Sequence, residues 1–234
     1  MIVKADLHIH SLASDGEAHP REIIRYARKL GIKVLAITDH DTFLGSYLAS
    51  KYVSGDVISL YGAEVRIELS GWTADVLILC DHVPNVSIKE LKELSNLVDV
   101  ARDENCLLIP AHPFTIIRHG MGYLALANFW DAVEVFNGGN DPLTNLMNLI
   151  ALRNFKGPKL ANSDAHVLAM IGKAYNVLDI GSLRIDDVFE GIRKGPLSIH
   201  ITYCLGSQVK RFSWGIRRKV LKIPWGRDLI NSPY

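Results

Sequence analysis

Asp6-Leu7-His8-Ile9-His10, followed by Ser14-Asp15-Gly16, is the stretch of sequence around which the chain is organised. Polar and apolar residues alternate strictly from position 5 to position 10, and strand side chains point to opposite faces in turn. Asp6, His8 and His10 therefore share one strand face. Because imidazole and carboxylate groups bind Zn, Mn or Fe, the pattern indicates either a metal site or a solvated face that happens to carry two histidines.

The composition fits one large domain without a membrane partner. The chain has 234 residues, of which 48% are hydrophobic and 22% charged, and its formal net charge of +1 gives no global argument for nucleic acid or acidic membranes. The N-terminus lacks the basic region and apolar run of a signal peptide, and no apolar segment reaches the length of a membrane span. These features predict a cytoplasmic protein.

The cysteines are odd in number, widely spaced and mostly embedded in apolar segments: Cys80, Cys106 and Cys204. This arrangement argues against a disulfide framework and favours a reducing compartment. We therefore expect all of them to be small core residues.

Polar residues follow successive apolar segments that are typical of buried parallel strands. Helical patterns alternate with these segments, which indicates βαβ units. An open doubly wound sheet gathers ligands at one switch point, whereas polar residues after several strands favour a TIM-like barrel. The segments are 33–38 before His40, 56–61 before Glu64, 106–109 before His112, and 157–161 before Asp164 and His166.

Burying these strand-end groups together would cost desolvation free energy unless cations paired with them. Any one of them alone could be a core histidine, a helix-capping aspartate or a surface glutamate. The candidate metal ligands are His8, His10, Asp15, His40, Glu64, His112, Asp164 and His166.

The segment beyond Gly206 is basic and aromatic. One interpretation is a solvated helix or arm docked by Phe212, Trp214 and Trp225; the other is a surface that contacts a nucleic acid backbone or an acidic partner. Its charged residues are Lys210, Arg211, Arg217, Arg218, Lys219, Lys222 and Arg227, against Asp228.

The ordered motifs resemble those of the PHP (polymerase and histidinol phosphatase) family over roughly residues 1–195. The resemblance implies an α/β fold, a distorted TIM-like (β/α)7 barrel with its metal site at the C-terminal ends of the strands, followed by a C-terminal extension at 196–234 that packs on the barrel or projects from it. The motifs are Asp6-Leu7-His8-Ile9-His10 with Ser14-Asp15-Gly16, Ile37-Thr38-Asp39-His40-Asp41, Gly62-Ala63-Glu64, Ala111-His112-Pro113 and Ser163-Asp164-Ala165-His166.

The resemblance also implies two or three divalent metal ions, Mn, Zn or Fe. Fuller members of the family carry an additional histidine after the fourth strand, for which His82 is the nearby candidate. The implied ligand groups are His8, His10, Glu64 and Asp164 for a first metal, Glu64 and His112 for a second, and Asp15, His40 and His166 for a further site.

Other residues are candidates for supporting roles. Arg118 and Lys173 lie in loops after strand-end motifs, with His119 beside Arg118, and each is either a phosphate-binding or catalytic group or an ordinary surface charge. Asp6 and Asp39 either orient imidazoles, which makes Asp39 a catalytic candidate, or are simple strand-end polar residues.

The motifs look most like those of stand-alone PHP phosphoesterases. The implied activity is hydrolysis of a phosphomonoester, of a nucleotide, nucleoside bisphosphate or similar small phosphate, by a metal-bridging hydroxide. The sequence contains no Gly-x-Ser-x-Gly elbow and no Walker glycine loop. A nuclease acting on 5′ ends of short RNA or DNA and a non-catalytic regulatory domain remain alternatives, and the oligomeric state is left open.

Overall fold

Strands and helices alternate along most of the chain. The structure is a computed structural model that describes residues 1–115 and 119–226. The elements are β1 (Ile2–Ile9), α1 (Pro20–Lys29), β2 (Ile32–Ile37), α2 (Leu44–Ser50), β3 (Ile58–Leu69), β4 (Trp72–Cys80), α3 (Leu94–Asp103), β5 (Cys106–Pro110), β6 (Val133–Asn137), α4 (Pro142–Ala151), β7 (Lys159–Asn162), β8 (Ala174–Asp179), α5 (Ile185–Lys194), β9 (Ser198–Ile201) and α6 (Leu205–Val220).

Two sheets form the barrel wall. A curled seven-stranded sheet has the order β5-β4-β3-β2-β1-β8-β9, and β6 and β7 form a parallel pair. The Leu7 amide donates to Asn162 Oδ1 over 3.2 Å, and the Asp131 amide donates to the Leu108 carbonyl over 3.1 Å, so the small sheet is tied to β1 and β5. The predicted α/β fold, a distorted TIM-like barrel, is confirmed.

Helix α1 shows how the sequence sets the wall of the barrel. The His19 side chain accepts from the Arg21 amide, and Glu22 accepts from the His19 amide over 3.0 Å, which together cap the first turn. The helix buries Ile23 and Ile24 against the apolar side chains of β2. This packing fixes the outer face of β2, the strand that leads to His40.

Strands β3 and β4 form an antiparallel hairpin that the sequence pattern did not reveal. Strand β3 continues through Glu64, which pairs with Leu77 of β4, and the chain reverses at Gly71, whose φ is +86°. That φ lies in the left-handed region that glycine adopts at little cost. Glu64 is therefore inside a strand and not beyond its end, and the end of β4 points away from the ends of β1 and β2.

Cys80 and Cys106 form a disulfide bond, so the expectation of unpaired cysteines is wrong. Both are buried, as expected of core residues, but they lie directly opposite each other on antiparallel β4 and β5, with 4.1 Å between their Cα atoms. Antiparallel neighbours at this spacing can be bridged, and only the strand pairing brings them together. The argument for a reducing compartment therefore loses its basis, and Cys204 remains free.

Reducing this disulfide is expected to lower the free energy of unfolding by about 3 kcal/mol, because the bond closes a loop in the unfolded chain. Urea unfolding of a Cys204→Ser variant, with and without reductant, measures the change, and this variant removes the free thiol as a source of exchange. Alkylation of wild-type protein in denaturant without reductant is expected to modify Cys204 alone. Alkylation of all the cysteines would contradict the assignment.

The segment after residue 195 contributes to the barrel wall and to its rim. Strand β9 pairs with β8, and α6 lies over the ligand end of the barrel, where the Trp214 indole donates to the Asp15 carbonyl over 2.8 Å. Arg227 and Asp228 lie outside the described residues. Within the two described ranges, no helix combines the length and the apolar character needed to cross a membrane.

Candidate metal centre

Apart from His82, the structure brings the candidate metal ligands together at one end of the barrel. They come from the ends of β1, β2, β5 and β7, from the middle of β3, and from the loop after β1. We call this group the metal cluster; its members are His8, His10, Asp15, His40, Glu64, His112, Asp164 and His166.

Glu64 lies at the centre of the metal cluster. Its Oε2 is 3.5 Å from His8 Nε2 and 2.9 Å from His40 Nδ1, and its Oε1 is 3.0 Å from His112 Nε2. Beside it, His10 Nε2 lies 3.1 Å from His8 Nε2. One carboxylate on β3 thus lies beside side chains that follow or belong to β1, β2 and β5, as a bridging ligand would.

The donor atoms fall into three groups, each with its atoms within 4.8 Å of one another, and His10 belongs to two of them. The groups are His10, Asp15, His40 and His166; His8, His10 and Asp164; and Glu64, Asp75 and His112. The first group adds His10 to the set that the resemblance implies for a further site, and the second contains three of the four residues implied for a first metal. The third adds Asp75, which the sequence did not suggest, to the pair implied for a second metal.

The hydrogen bonding of these atoms fits a divalent metal. Among the described residues, several buried donor atoms of the cluster have no hydrogen-bond partner: His10 Nδ1, Asp15 Oδ1, Glu64 Oε2 and His112 Nδ1. Asp15 and Glu64 approach imidazole nitrogens at 3.2 and 2.9 Å, but in directions that make no hydrogen bond. Buried polar atoms are normally satisfied, and mixed nitrogen and oxygen donors suit Mn, Zn and Fe.

The electrostatics hold His10 and Glu64 in the form that binds metal. Burial lowers the pKa of His10 to about 3, and the nearby His166 and His40 act in the same direction. Burial opposes ionisation of Glu64, but His40 and His8 lower the pKa of its carboxyl well below the usual value. At neutral pH His10 is therefore neutral and Glu64 ionised, the states in which imidazole and carboxylate coordinate metals. Burial opposes protonation of His8 and His40, but Glu64 raises the pKa of both, so a bound metal would displace their protons.

Glu134 supports the cluster from behind, and sequence reasoning missed it. Its fully buried carboxylate accepts hydrogen bonds from the His112 amide over 2.8 Å, from Asn137 Nδ2 over 2.8 Å and from Asn162 Nδ2 over 3.0 Å. His8 Nδ1 lies 3.1 Å from its Oε1. Glu134 thus fixes the ring that presents His8 Nε2 to the cluster. The sequence feature that could have identified Glu134 is its position as a charged residue inside the apolar strand 132–136.

Asp75 was missed because it lies on the second strand of the unforeseen hairpin. It is buried and held by Arg66, whose Nε donates to Asp75 Oδ1 over 2.9 Å and whose Nη2 donates to Oδ2 over 3.3 Å. Burial and the neighbouring Glu64 raise the pKa of Asp75. Asp75 therefore faces a cation on one side and the Glu64 and His112 donors on the other.

His82 does not join the cluster. It follows β4 at the opposite end of the hairpin, its side chain is 54% exposed, and its Nε2 lies 2.7 Å from Glu104 Oε2. The antiparallel direction of β4 is the physical reason, because it carries the C-terminal end of that strand away from the ligand end of the barrel. The residue that β4 does bring to the cluster is Asp75.

Asp6 and Asp39 hold ligand-bearing loops, and their hydrogen bonds within the described residues go to amides and hydroxyls, not to an imidazole. Asp39 accepts from the Ser11 amide over 2.7 Å and from the Ser11 and Ser14 hydroxyls over 2.6 Å each, which shapes the loop before Asp15. A Cβ on Gly45 would lie 1.8 Å from Asp39 Oδ2, so only glycine fits there. Asp6 accepts from the Ser163 and Gly172 amides over 3.1 and 3.0 Å, on both sides of Asp164 and His166.

The remaining candidates lie around the cluster or beyond the described residues. His119 Nδ1 lies 2.6 Å from Thr73 Oγ1, and the His119 carbonyl accepts from the Asp75 amide over 2.9 Å. His119 therefore lies in a loop that contacts the N-terminal part of β4, next to Asp75. Lys173 precedes β8, at the end of that strand nearest the C-terminal end of β1. Arg118 lies outside the described residues.

A curled α/β barrel that gathers imidazoles and carboxylates at one end defines a class of barrel proteins built to hold divalent metal ions there. Comparison with known families makes this specific. The PHP domain family matches residues 6–169, and the PHP-associated family matches residues 142–197. The chain belongs to the PHP family, which confirms the resemblance seen in the motifs.

Relatives support the same assignment. An uncharacterized protein of Methanocaldococcus jannaschii is 31% identical over 146 residues, which cover 58% of this chain and 82% of that protein. The 5′-3′ exoribonuclease of Haemophilus influenzae is 40% identical over 74 residues, 30% of this chain and 26% of that protein. This chain therefore matches about a quarter of the exoribonuclease.

A solved structure shares the fold. A two-domain protein of Bacteroides vulgatus, described as containing a predicted PHP-like metal-dependent phosphoesterase, matches with a TM-score of 0.66 at 13% identity. The match covers 86% of this chain and 65% of that chain. At this identity the likeness shows the barrel fold, and the chemistry has to be argued from the cluster.

Proposed function

We propose that the protein is a metal-dependent phosphoesterase that hydrolyses a phosphomonoester of a nucleotide, a nucleoside bisphosphate or a similar small phosphate. The observation that carries the proposal is the metal cluster, in which four buried atoms have no hydrogen-bond partner among the described residues: His10 Nδ1, Asp15 Oδ1, Glu64 Oε2 and His112 Nδ1. Its exposed side supports access by a substrate: the side chains of Asp15 and His40 are 23% and 21% exposed, whereas His8 and Glu64 are buried.

The chain's own residues would bind the metals and orient the substrate. Divalent ions held there would lower the pKa of a coordinated water and neutralise charge on the phosphoryl group. His8, His10 and Asp164 would hold one ion, with Glu134 fixing the His8 ring. Arg211 Nη2 lies 3.6 Å from Asp164 Oδ2, so a guanidinium stands at the rim where phosphate oxygens would arrive.

A nuclease acting on 5′ ends of short RNA or DNA is the second candidate. The similarity to an enzyme described as a 5′-3′ exoribonuclease favours it, as does the row of cations on α6. A non-catalytic regulatory domain accounts less well for the cluster, because such a domain has no need of buried donor atoms that lack partners. Phosphorylated compounds, including short nucleic acids, are therefore the partners we propose.

Phosphate release measured with and without chelator tests the proposal. Protein loaded with Mn or Zn is expected to hydrolyse an aryl phosphate or a nucleoside 5′-monophosphate, and chelation is expected to reduce the rate at least about 100-fold, because the ions supply several kcal/mol of transition-state stabilisation. Adding the metal back should restore it.

The salt dependence of the rate separates the two candidates. A steep fall of kcat/KM with salt on longer RNA would favour the nuclease, since binding several phosphates releases counterions, while a single phosphate gives a shallow slope. Protein that contains metal but releases phosphate from none of these compounds would contradict the proposal.

A further inference from the structure

Helix α4 turns its polar residues inward and its apolar residues outward. Its buried side chains are Thr144, Asn145 and Asn148, whereas its exposed side chains are large and apolar. We call the exposed set the α4 face; its members are Leu143, Leu146, Met147, Leu149 and Ile150, with exposed fractions between 39% and 66%. A surface helix usually turns its apolar stripe towards the core, so α4 is inverted relative to that pattern.

Hydrogen bonds account for the polar side of α4. Asn145 Nδ2 donates to the Asn137 carbonyl over 2.9 Å, and Asn145 Oδ1 accepts from the Asn137 amide over 3.0 Å. Asn148 Oδ1 accepts from the Phe114 amide over 2.9 Å. These bonds tie α4 to the end of β6 and to the segment that follows His112. Rotating the helix to bury the α4 face would break them, so the apolar side chains stay outside.

The spacing and the lack of charge on α4 indicate what kind of surface it contacts. Four members of the α4 face have the spacing i, i+3, i+4 and i+7, which places them on one side of the helix and is typical of helices that bind other proteins. They are Leu143, Leu146, Met147 and Ile150. Helix α4 contains no charged residue, whereas helices that bind membrane surfaces or nucleic acids carry lysine and arginine. The α4 face therefore fits an apolar protein surface.

A hollow lies beside this helix. Its volume is about 450 Å³, and its lining includes Trp72, Phe114 and Met147. The Tyr123 ring packs edge-on against Phe114, with 5.4 Å between the ring centroids, and both Trp72 and Tyr123 are exposed. The surface thus combines an apolar ridge with a hollow that has aromatic walls. Aromatic side chains are among those that contribute most of the binding energy in protein interfaces.

The exposed area matches that of a subunit interface. The α4 face, Trp72 and Tyr123 together expose roughly 700 Å² on one chain, and each partner in a stable complex buries about 800 Å². The largest apolar patch on a typical monomer is about 300–600 Å². A two-fold axis would bring the same patch of two copies together, so that the ridge of each copy enters the hollow of the other. No like charges would meet between the two helices.

We propose that the α4 face is the interface of a symmetric homodimer, in which two copies of this chain pack α4 against α4. Two-fold contacts between identical chains are the commonest form of oligomer, and homodimer interfaces are more apolar than those of transient complexes. The α4 face contains no member of the metal cluster. The dimer is therefore a property of the chain that does not depend on the proposed function.

Sedimentation equilibrium of the full chain tests the inference. At about 10 μM, wild-type protein is expected to have twice the mass of one chain. Leu146→Glu/Ile150→Glu should raise the Kd of the dimer at least about 100-fold, because it would bury charges without partners at the interface, and this variant should sediment as a monomer. The Tm of the wild type should rise with protein concentration, and that of the variant should not.

The matched control is Leu205→Glu/Val220→Glu. It introduces the same charges at exposed apolar positions of α6, outside the α4 face, so its dimer should persist with the wild-type Kd. Leu146→Gln/Ile150→Gln replaces the glutamate variant if that variant does not fold. A partner protein of different sequence on the α4 face would leave the wild type monomeric. A wild type that is monomeric up to about 100 μM, a dimer that the α4 variant retains, or a monomeric control would each overturn the inference.

Discussion

Replacing His8 and His10 together by alanine is expected to abolish metal binding and phosphoester hydrolysis, with a loss of kcat/KM of at least about 1,000-fold. The expectation follows from their position: their Nε2 atoms lie 3.1 Å apart and share a donor group with Asp164. Metal ions contribute several kcal/mol to such reactions, and each 1.36 kcal/mol is tenfold in rate. The fold should persist, because Glu134 keeps its bonds to Asn137 and Asn162.

The measurement combines elemental analysis, circular dichroism and phosphate release on the same preparations. His82→Ala/His200→Ala is the matched control, since it also removes two histidines but from exposed positions outside the cluster. It should keep both metal and activity. Full activity and unchanged metal content in His8→Ala/His10→Ala would show that the cluster is not the metal site.

Replacing Glu134 by alanine is expected to destabilise the protein by about 3–5 kcal/mol and to weaken metal binding by about 10- to 100-fold. The buried carboxylate is an acceptor for three donors and contacts His8 Nδ1, so its removal leaves those groups without a partner. Glu134→Gln keeps one acceptor oxygen, so its stability loss should be smaller. It should still weaken metal binding, because a neutral amide supports the His8 ring less well than a carboxylate does.

Urea unfolding and titration with a competing chelator measure the two effects separately. Glu68→Ala is the control, because Glu68 is also a strand glutamate but is exposed. Its stability and metal affinity should stay within error of the wild type. If Glu134→Ala unfolds at the wild-type urea concentration and binds metal as tightly as the wild type, then Glu134 is not a supporting residue.

The ligands on β1 could be predicted because a strand has a side-chain period of two and apolar residues alternate with polar ones there. His8 and His10 lie on one face of the strand, as the alternation requires. The order of the later polar residues along the chain was sufficient to predict the barrel fold. The family pattern supplied the partners of these histidines. Local spacing and ordered motifs were therefore sufficient to propose most members of the metal cluster.

Local sequence patterns could not predict which strands pair with each other or in which direction. The hairpin at Gly71 reverses β4, which sends His82 away from the cluster and brings Asp75 to it. The same antiparallel run places Cys80 opposite Cys106. Each of these outcomes depends on the direction of one strand, and the apolar pattern of a strand is the same in either direction.

Glu134 was missed for a different reason. A glutamate in an apolar strand is consistent with an exposed edge as well as with a buried network, and only the positions of its donors separate the two. Here the donors come from β1, β5, β6 and β7, which are distant in sequence. The role of Glu134 can therefore be recognised only in the folded barrel, where these strands lie next to one another.

Anomalous X-ray diffraction from crystals loaded with manganese locates the bound metal ions themselves. We expect at least two anomalous peaks inside the metal cluster, one of them about 2 Å from the Nε2 atoms of His8 and His10. Crystals that hold manganese only outside the cluster, from protein that hydrolyses phosphoesters at the full rate, would contradict this expectation.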